Sequence, residues 1–280
     1  MGYVHFQRLN MGIGPEDSLG KAEAFATRAL DLAPDLPQGH LVLGLTAMWR
    51  RGMMKMALAH FERLLSADPN DQDALKWAGA TYPFVGRTAE AGSMGERLIA
   101  MDPMSPMSYM PLMFSRWLDG HFEAALGVLQ QSCKVDPSHP ILEMAAVHLL
   151  IPMGRHEEAI ALAGRAEKER RLTIFDRTAL LWRYALVGDR EKALSWLSQG
   201  ALETCRRDFQ YSWWVACAYV MLGDAESALD WLENAIEHGF VNHRFLAEID
   251  PMLAPLRTDA RFQALMTRAR EKQAEFEDGS

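Results

Sequence analysis

The chain has 280 residues, 49% of them hydrophobic and 24% charged, with a formal net charge of −8. Apolar residues are frequent enough to build a core along the whole length, which excludes a disordered chain. The acidic balance excludes a nucleic-acid backbone or an anionic membrane as the main partner, because both require a concentrated excess of Lys and Arg.

From the N-terminus, Met1 to Pro15 lacks a charged region followed by an apolar one, so no signal peptide is expected. Met1-Gly2 opens like a myristoylation site, but Phe6 stands where Ser or Thr is needed. A short first helix is expected around Tyr3 to Ile13. Gly12-Ile13-Gly14 lacks the third glycine and the strand of a dinucleotide fingerprint. The run from Gly14 through Gly20-Lys21-Ala22 has one residue too many for a phosphate loop, and it ends in Ala where Ser or Thr would hold a magnesium ion. A helix start capped near Asp17 or Ser18 is the expected reading.

Beyond this point the chain repeats. Gly52, Gly86, Gly120, Gly154, Gly188 and Gly223 stand 34, 34, 34, 34 and 35 residues apart. Ala57, Ala91, Ala125, Ala159, Ala193 and Ala228 each follow their glycine by five residues. Pro34, Pro69, Pro103 and Pro137 form a third series. The glycine ends one helix and makes the turn, the alanine lets two helices approach closely, and the proline stops the second helix. Between the markers apolar residues recur at helical spacing, as in Tyr109, Leu112 and Met113 followed by Ala125, Leu126 and Leu129.

The most apolar stretch, Ile141 to Met153, is interrupted by Glu143 and His148 and is too short to span a membrane. Lys168, Arg170 and Arg171 alternate with Glu167 and Glu169, which reads as a solvated helix end. The stretches near Arg171 and from Gly200 to Asp208 lack the proline, and the second is longer, so a looser joint is expected before Phe209. Cys133, Cys205 and Cys217 form no CxxC, which fits a reducing, cytoplasmic location without a disulfide framework or thiolate zinc site.

This pattern resembles the tetratricopeptide-repeat family, in which a 34-residue helical hairpin is the unit. Ala78-Gly79, Tyr82, Gly86, Ala91, Leu98 and Asp102-Pro103 carry it in one unit, and Leu180, Tyr184, Gly188, Ala193 and Leu197 in another. The resemblance implies an all-α, right-handed superhelical solenoid of about seven hairpins over residues 1–239. The units fall near 3–36, 37–71, 72–105, 106–139, 140–173, 174–208 and 209–239, with a capping segment and tail over 240–280. That tail is similar to the endings of such arrays in bacterial regulators that carry a cyclase, a kinase, or a DNA-binding and TolB-like region. Phe262 and Leu265 suit a closing helix, since the last unit's apolar face must be covered.

Signatures of catalysis do not emerge. The nine histidines include no HExxH pair, and His238 and His243 flank a glycine turn. No nucleophile, acid or base is grouped with a partner, so no catalytic residue, metal or cofactor is assigned and the chain is read as a non-enzyme.

The resemblance implies that the first helix of each hairpin lines a concave groove. Reading i, i+4, i+7 along these helices gives Leu45 and Met48; Lys76; Met110, Phe114 and Trp117; Met144 and His148; Trp182; and Trp213 as candidate partner contacts. Tyr109, Leu112 and Met113 already supply a packing face to their helix, so Met110, Phe114 and Trp117 form a second apolar face that must also be covered. Neighbouring helices or the chain's own tail could cover it, or an apolar helix or extended segment of a partner protein could. The expected function is a protein-interaction scaffold or regulatory adaptor, with a small-ligand-sensing module as the alternative and a second copy of the chain as a further candidate partner. The Lys, Asn and Arg clamp by which some relatives hold an acidic C-terminus is not reproduced, because Ala80 stands where an amide would be needed near Lys76.

Overall fold

A computed structural model describes residues 2–4, 18–137, 139–168 and 173–277. The expected short first helix lies mostly outside these residues, as do Gly12 to Asp17 and the Arg170–Arg171 cluster. Among the described residues all regular structure is helical. In chain order the helices are α1 (Ser18–Leu32), α2 (Pro37–Met48), α3 (Met54–Ala67), α4 (Gln72–Thr81), α5 (Thr88–Met101), α6 (Met110–Leu118), α7 (Phe122–Val135) and α8 (Pro140–Leu150). They continue with α9 (His156–Lys168), α10 (Ile174–Leu186), α11 (Arg190–Ser195), α12 (Gln199–Arg206), α13 (Phe209–Met221), α14 (Ala225–Glu237) and α15 (Ala260–Glu277). Short 3-10 turns at Tyr82–Val85 and Pro106–Tyr109 extend α4 and precede α6.

The repeat markers act as their chemistry dictates. The six turn glycines have φ between 71° and 92°, the left-handed region that a residue without Cβ enters at little cost. Five of the six turns close with a bond from the residue after the glycine back to the last helical turn, such as Arg87 N–H to the Tyr82 carbonyl at 2.9 Å and Asp224 N–H to the Tyr219 carbonyl at 2.9 Å. All six alanines of the second series are buried. Each series proline stands just past a helix end, as Pro69 does after α3 and Pro103 after α5. Aspartates start many helices: Asp71, Asp189, Asp208 and Asp224 accept backbone N–H groups of α4, α11, α13 and α14. Thr173 and Asp176 make a reciprocal capping box at α10.

The hairpin after Gly188 departs from the pattern. Its second arm is split into α11, of six residues, and α12, where the glycine interval stretches to 35. After α14 the chain turns at Gly239, with φ of 111°. It passes through a π turn at Phe245–Ile249 and a 3-10 turn at Pro251–Leu256 before α15. Helix α15 buries Phe262 and Leu265 and lies along α14. Arg261 pairs with Asp230 at 2.6 Å and Glu233 at 3.0 Å, and Arg268 pairs with Glu233 at 2.8 Å.

Candidate ligand cavity on the concave face

The first helices of successive hairpins, α2, α4, α6, α8, α10 and α13, face one another around a common axis, and the tail enters the space between them. Backbone N–H groups of Val241 and Asn242 both donate to the Phe84 carbonyl at 2.8 Å. The Asn242 side-chain amide donates to the Pro83 carbonyl at 2.8 Å. At the far end of the tail, Asp250 accepts the Trp213 indole N–H at 2.8 Å. Edge-on aromatic contacts fill the gap between these anchors: Phe84 to Phe240 at 4.9 Å, Trp213 to Phe240 at 5.2 Å and Trp213 to Phe245 at 5.5 Å between ring centres. The ring is tied once more where Gly52 N–H donates to the Glu237 carbonyl at 3.0 Å, joining the first complete hairpin to the end of α14.

Beside the tail an apolar cavity of about 370 Å³ remains. Its wall is drawn from Met48 and Trp49 of α2, Lys76, Trp77 and Ala80 of α4, and Phe84. Met107, Met110 and Phe114 continue it around α6, followed by His139, Ile141 and Met144 at α8 and Phe175 at α10. Asp208, Phe209, Gln210, Tyr211 and Trp214 complete it at α13. Few polar groups interrupt this surface, and most are spent within the protein. Asp208 caps α13 by accepting the N–H groups of Gln210 at 2.8 Å and Tyr211 at 2.9 Å. Burial raises its carboxyl to about 6, against the pull of those bonds and one from the Trp49 side chain. Burial also lowers the His139 imidazole, against the attraction of Asp136. Lys76 holds Asp73 at 2.5 Å, and 24% of its side chain is exposed.

Of the residues singled out from the sequence, Met48, Lys76, Met110, Phe114 and Met144 come together in this wall. Leu45, Trp117, His148, Trp182 and Trp213 do not line it; all five are buried against the chain itself. Trp117 and Trp213 lie 5.5 Å apart under the tail. His148 lies one layer deeper, 4.1 Å from Trp182 and 4.5 Å from Trp214, and the Trp182 indole donates to the Trp214 carbonyl at 2.7 Å. Burial lowers the His148 imidazole well below its ordinary range.

The stripe reading missed Trp49, Trp77, Phe175, Phe209, Tyr211 and Trp214. Trp49 and Trp77 follow stripe residues by one position, so a broader stripe would have included them. Helix α13, FQYSWWVACAYVM, is apolar around most of its circumference, which signals a helix covered on every side. Among the described residues no group of three or more His, Cys, Asp or Glu is placed to hold a metal ion. None of the described helices is long and apolar enough to cross a membrane.

No protein-family model matches the sequence, and no curated protein matches it either. Among solved structures, the chain superposes on one from the APC/C hetero-tetramer Cut9-Hcn1 with a TM-score of 0.61 and 16% identity, covering 96% of this chain and 54% of that one. TTC0263, described as a thermophilic TPR protein in Thermus thermophilus, aligns with a TM-score of 0.40 and 23% identity over 84% of this chain and 98% of its own. YrrB, described as a TPR protein with an unusual peptide-binding site, aligns with a TM-score of 0.37 and 15% identity over 70% of this chain and 95% of its own. With hairpins at a 34-residue interval, left-handed glycines at each bend and first helices ringing a common axis, the chain has the tetratricopeptide-repeat fold, a right-handed superhelix of helical hairpins.

Proposed function

We propose that the chain is a protein-interaction scaffold or regulatory adaptor that holds an apolar segment of a partner against its concave face. The supporting observation is that this face already holds a polypeptide segment, its own tail. Phe84 and Pro83 take that segment's N–H groups, while Phe84 and Trp213 take its phenylalanines. The cavity next to the tail offers the same aromatic and thioether chemistry without an occupant from the described residues, and methionine-rich walls adapt to different side chains. In this reading the chain is cytoplasmic and catalyses nothing itself.

A photo-crosslinking residue placed at Met107, in the cavity wall, should capture a partner at an apolar stretch of its sequence. The same residue at exposed Glu191 should not, and Ala80→Trp, which fills the cavity, should abolish the Met107 product. Crosslinks that form equally at both positions and survive Ala80→Trp would remove the concave face as the site.

A second reading is supported by the enclosure itself. A mostly apolar chamber with a few polar groups, bounded by successive hairpins, has the size and make-up of small-molecule sites. Such an array would sense a small ligand and pass the change to a separate catalytic or DNA-binding domain.

A further inference from the structure

Resting on the second reading above, we infer that the concave cavity takes a small apolar carboxylic acid, an aryl- or branched-alkyl-substituted carboxylate whose charge is met by Lys76. The wall selects the body of the ligand first. Trp77, Phe114 and Trp214 with Met110 and Met144 offer rings and thioethers to an apolar group and leave little for a sugar or a nucleotide to bond.

The polar capacity left in the wall is mostly that of donors, and the buried His139 Nδ1, also without a partner among the described residues, can donate or accept according to its tautomer. The Asp208 carboxylate is occupied by the N–H groups of Gln210 and Tyr211 and by the Trp49 side chain. The Thr81 hydroxyl donates to the Trp77 carbonyl at 2.7 Å, and the Thr173 hydroxyl donates to Asp176 at 2.6 Å. By contrast, the Gln210 amide nitrogen has no partner among the described residues. The Lys76 ammonium has three N–H groups, and its one ion pair among the described residues is with Asp73, which is itself 49% exposed. A mostly apolar chamber whose carboxylate is spent and whose ammonium can change partner favours an acceptor-bearing anion over a cation or a neutral donor.

The same inventory separates a small acid from the C-terminus of a peptide. A peptide terminus brings backbone N–H groups that must find acceptors when buried, and the wall's side-chain acceptors are largely used. A small acid brings a carboxylate and a hydrocarbon body and needs none.

The test is a fluorescence titration of the full chain, read through the wall tryptophans, with phenylpropionate and naphthylacetate beside the amide and the amine of each. The acids should bind about tenfold or more tightly than the amides, the scale of one charge-assisted bond, and the amines should not bind. Lys76→Met should erase the preference for acid over amide while leaving amide binding, and Asp73→Asn should tighten the acids. Equal affinity for acid and amide, or an unaltered preference in a folded Lys76→Met variant, would overturn the acid assignment. Amide binding that Ala80→Trp abolishes would then leave the cavity reading standing. Absence of binding by every probe would remove both. A short apolar peptide with a free C-terminal carboxylate that displaces the small acids would assign the site to a protein terminus and overturn the proposal.

Discussion

The Asn242 side-chain amide donates to the carbonyl of Pro83 at 2.8 Å across 159 residues of sequence, while its Oδ1 accepts the Phe245 N–H at 3.1 Å. One buried side chain therefore ties the bend of an early hairpin to the tail and shapes the turn that carries Phe245. Asn242→Ala strands the buried Phe245 N–H, a loss of about 1–3 kcal/mol, and removes one of two donors from the Pro83 carbonyl, which keeps the Gly86 N–H at 3.3 Å. Urea unfolding should show that loss. Hydrogen exchange should show it concentrated over residues 240–256, with the first hairpins little changed. Uniform loss of protection along the chain would mean that the tail is not a separate closing element.

Two glycines with open space around them isolate the role of backbone conformation. A Cβ added at Gly127, within α7, or at Gly154, at a turn, would meet nothing within 4 Å, but Gly154 has φ of +74°. Gly127→Ala should stabilise the chain by about 0.5–1 kcal/mol through helix propensity and a less mobile unfolded chain. Gly154→Ala should destabilise it by about 1 kcal/mol, the left-handed cost for a residue with a side chain. Thermal unfolding of both variants checks the pair, and a stabilising Gly154→Ala would contradict the left-handed turn.

The contrast between those glycines shows why the hairpins were legible in the sequence and the closure was not. Gly154 belongs to a series with a constant interval, so the same local demand is written six times. Asn242 and Pro83 belong to no series, and nothing in periodicity says that a tail will return to the second bend of the array. For the same reason Met110 and Phe114, on one stripe, could be separated from neither Trp117 nor Trp213. Which part of an apolar stripe faces a cavity and which part faces the tail depends on how far the superhelix closes. His148 lay on the stripe by spacing but behind Trp214 in space, a distinction of depth that a helical wheel does not carry.

Asp250 gives the tail a pH dependence. Burial raises its carboxyl to about 6 from an ordinary 3.8, against the bonds from the Trp213 indole and the Met252 N–H. With the folded value above the unfolded one, its favourable contribution is complete below the unfolded value. That contribution fades as pH rises through the folded one, a change on the order of 3 kcal/mol between acid and neutral pH. Asp250→Asn removes the titration and keeps an acceptor for one of the two donors. The stability of the variant relative to wild type should therefore improve from pH 5 to pH 7.5. A difference that stays flat over that range would show that Asp250 is not buried against Trp213.

His148 pulls in the opposite direction. Both ring nitrogens are buried without partners among the described residues, and burial depresses the imidazole well below 6.5. A depressed histidine contributes stability above the unfolded value that is lost as pH falls, because the unfolded chain takes up a proton that the folded chain refuses. The slope approaches about 1.4 kcal/mol per pH unit once the unfolded histidine is largely protonated. In wild type this loss and the gain from Asp250 partly cancel between pH 5 and pH 7, so an unchanging melting temperature would conceal two opposed titrations. His148→Leu replaces an unsatisfied imidazole by an apolar group of similar size between Trp182 and Trp214. It should be neutral or stabilising at pH 7, and its stability relative to wild type should rise on acidification from pH 7 to pH 5, because one depressed histidine no longer opposes folding. A His148→Leu variant that loses several kcal/mol at pH 7 would show instead that the imidazole has a hydrogen-bonding partner in solution.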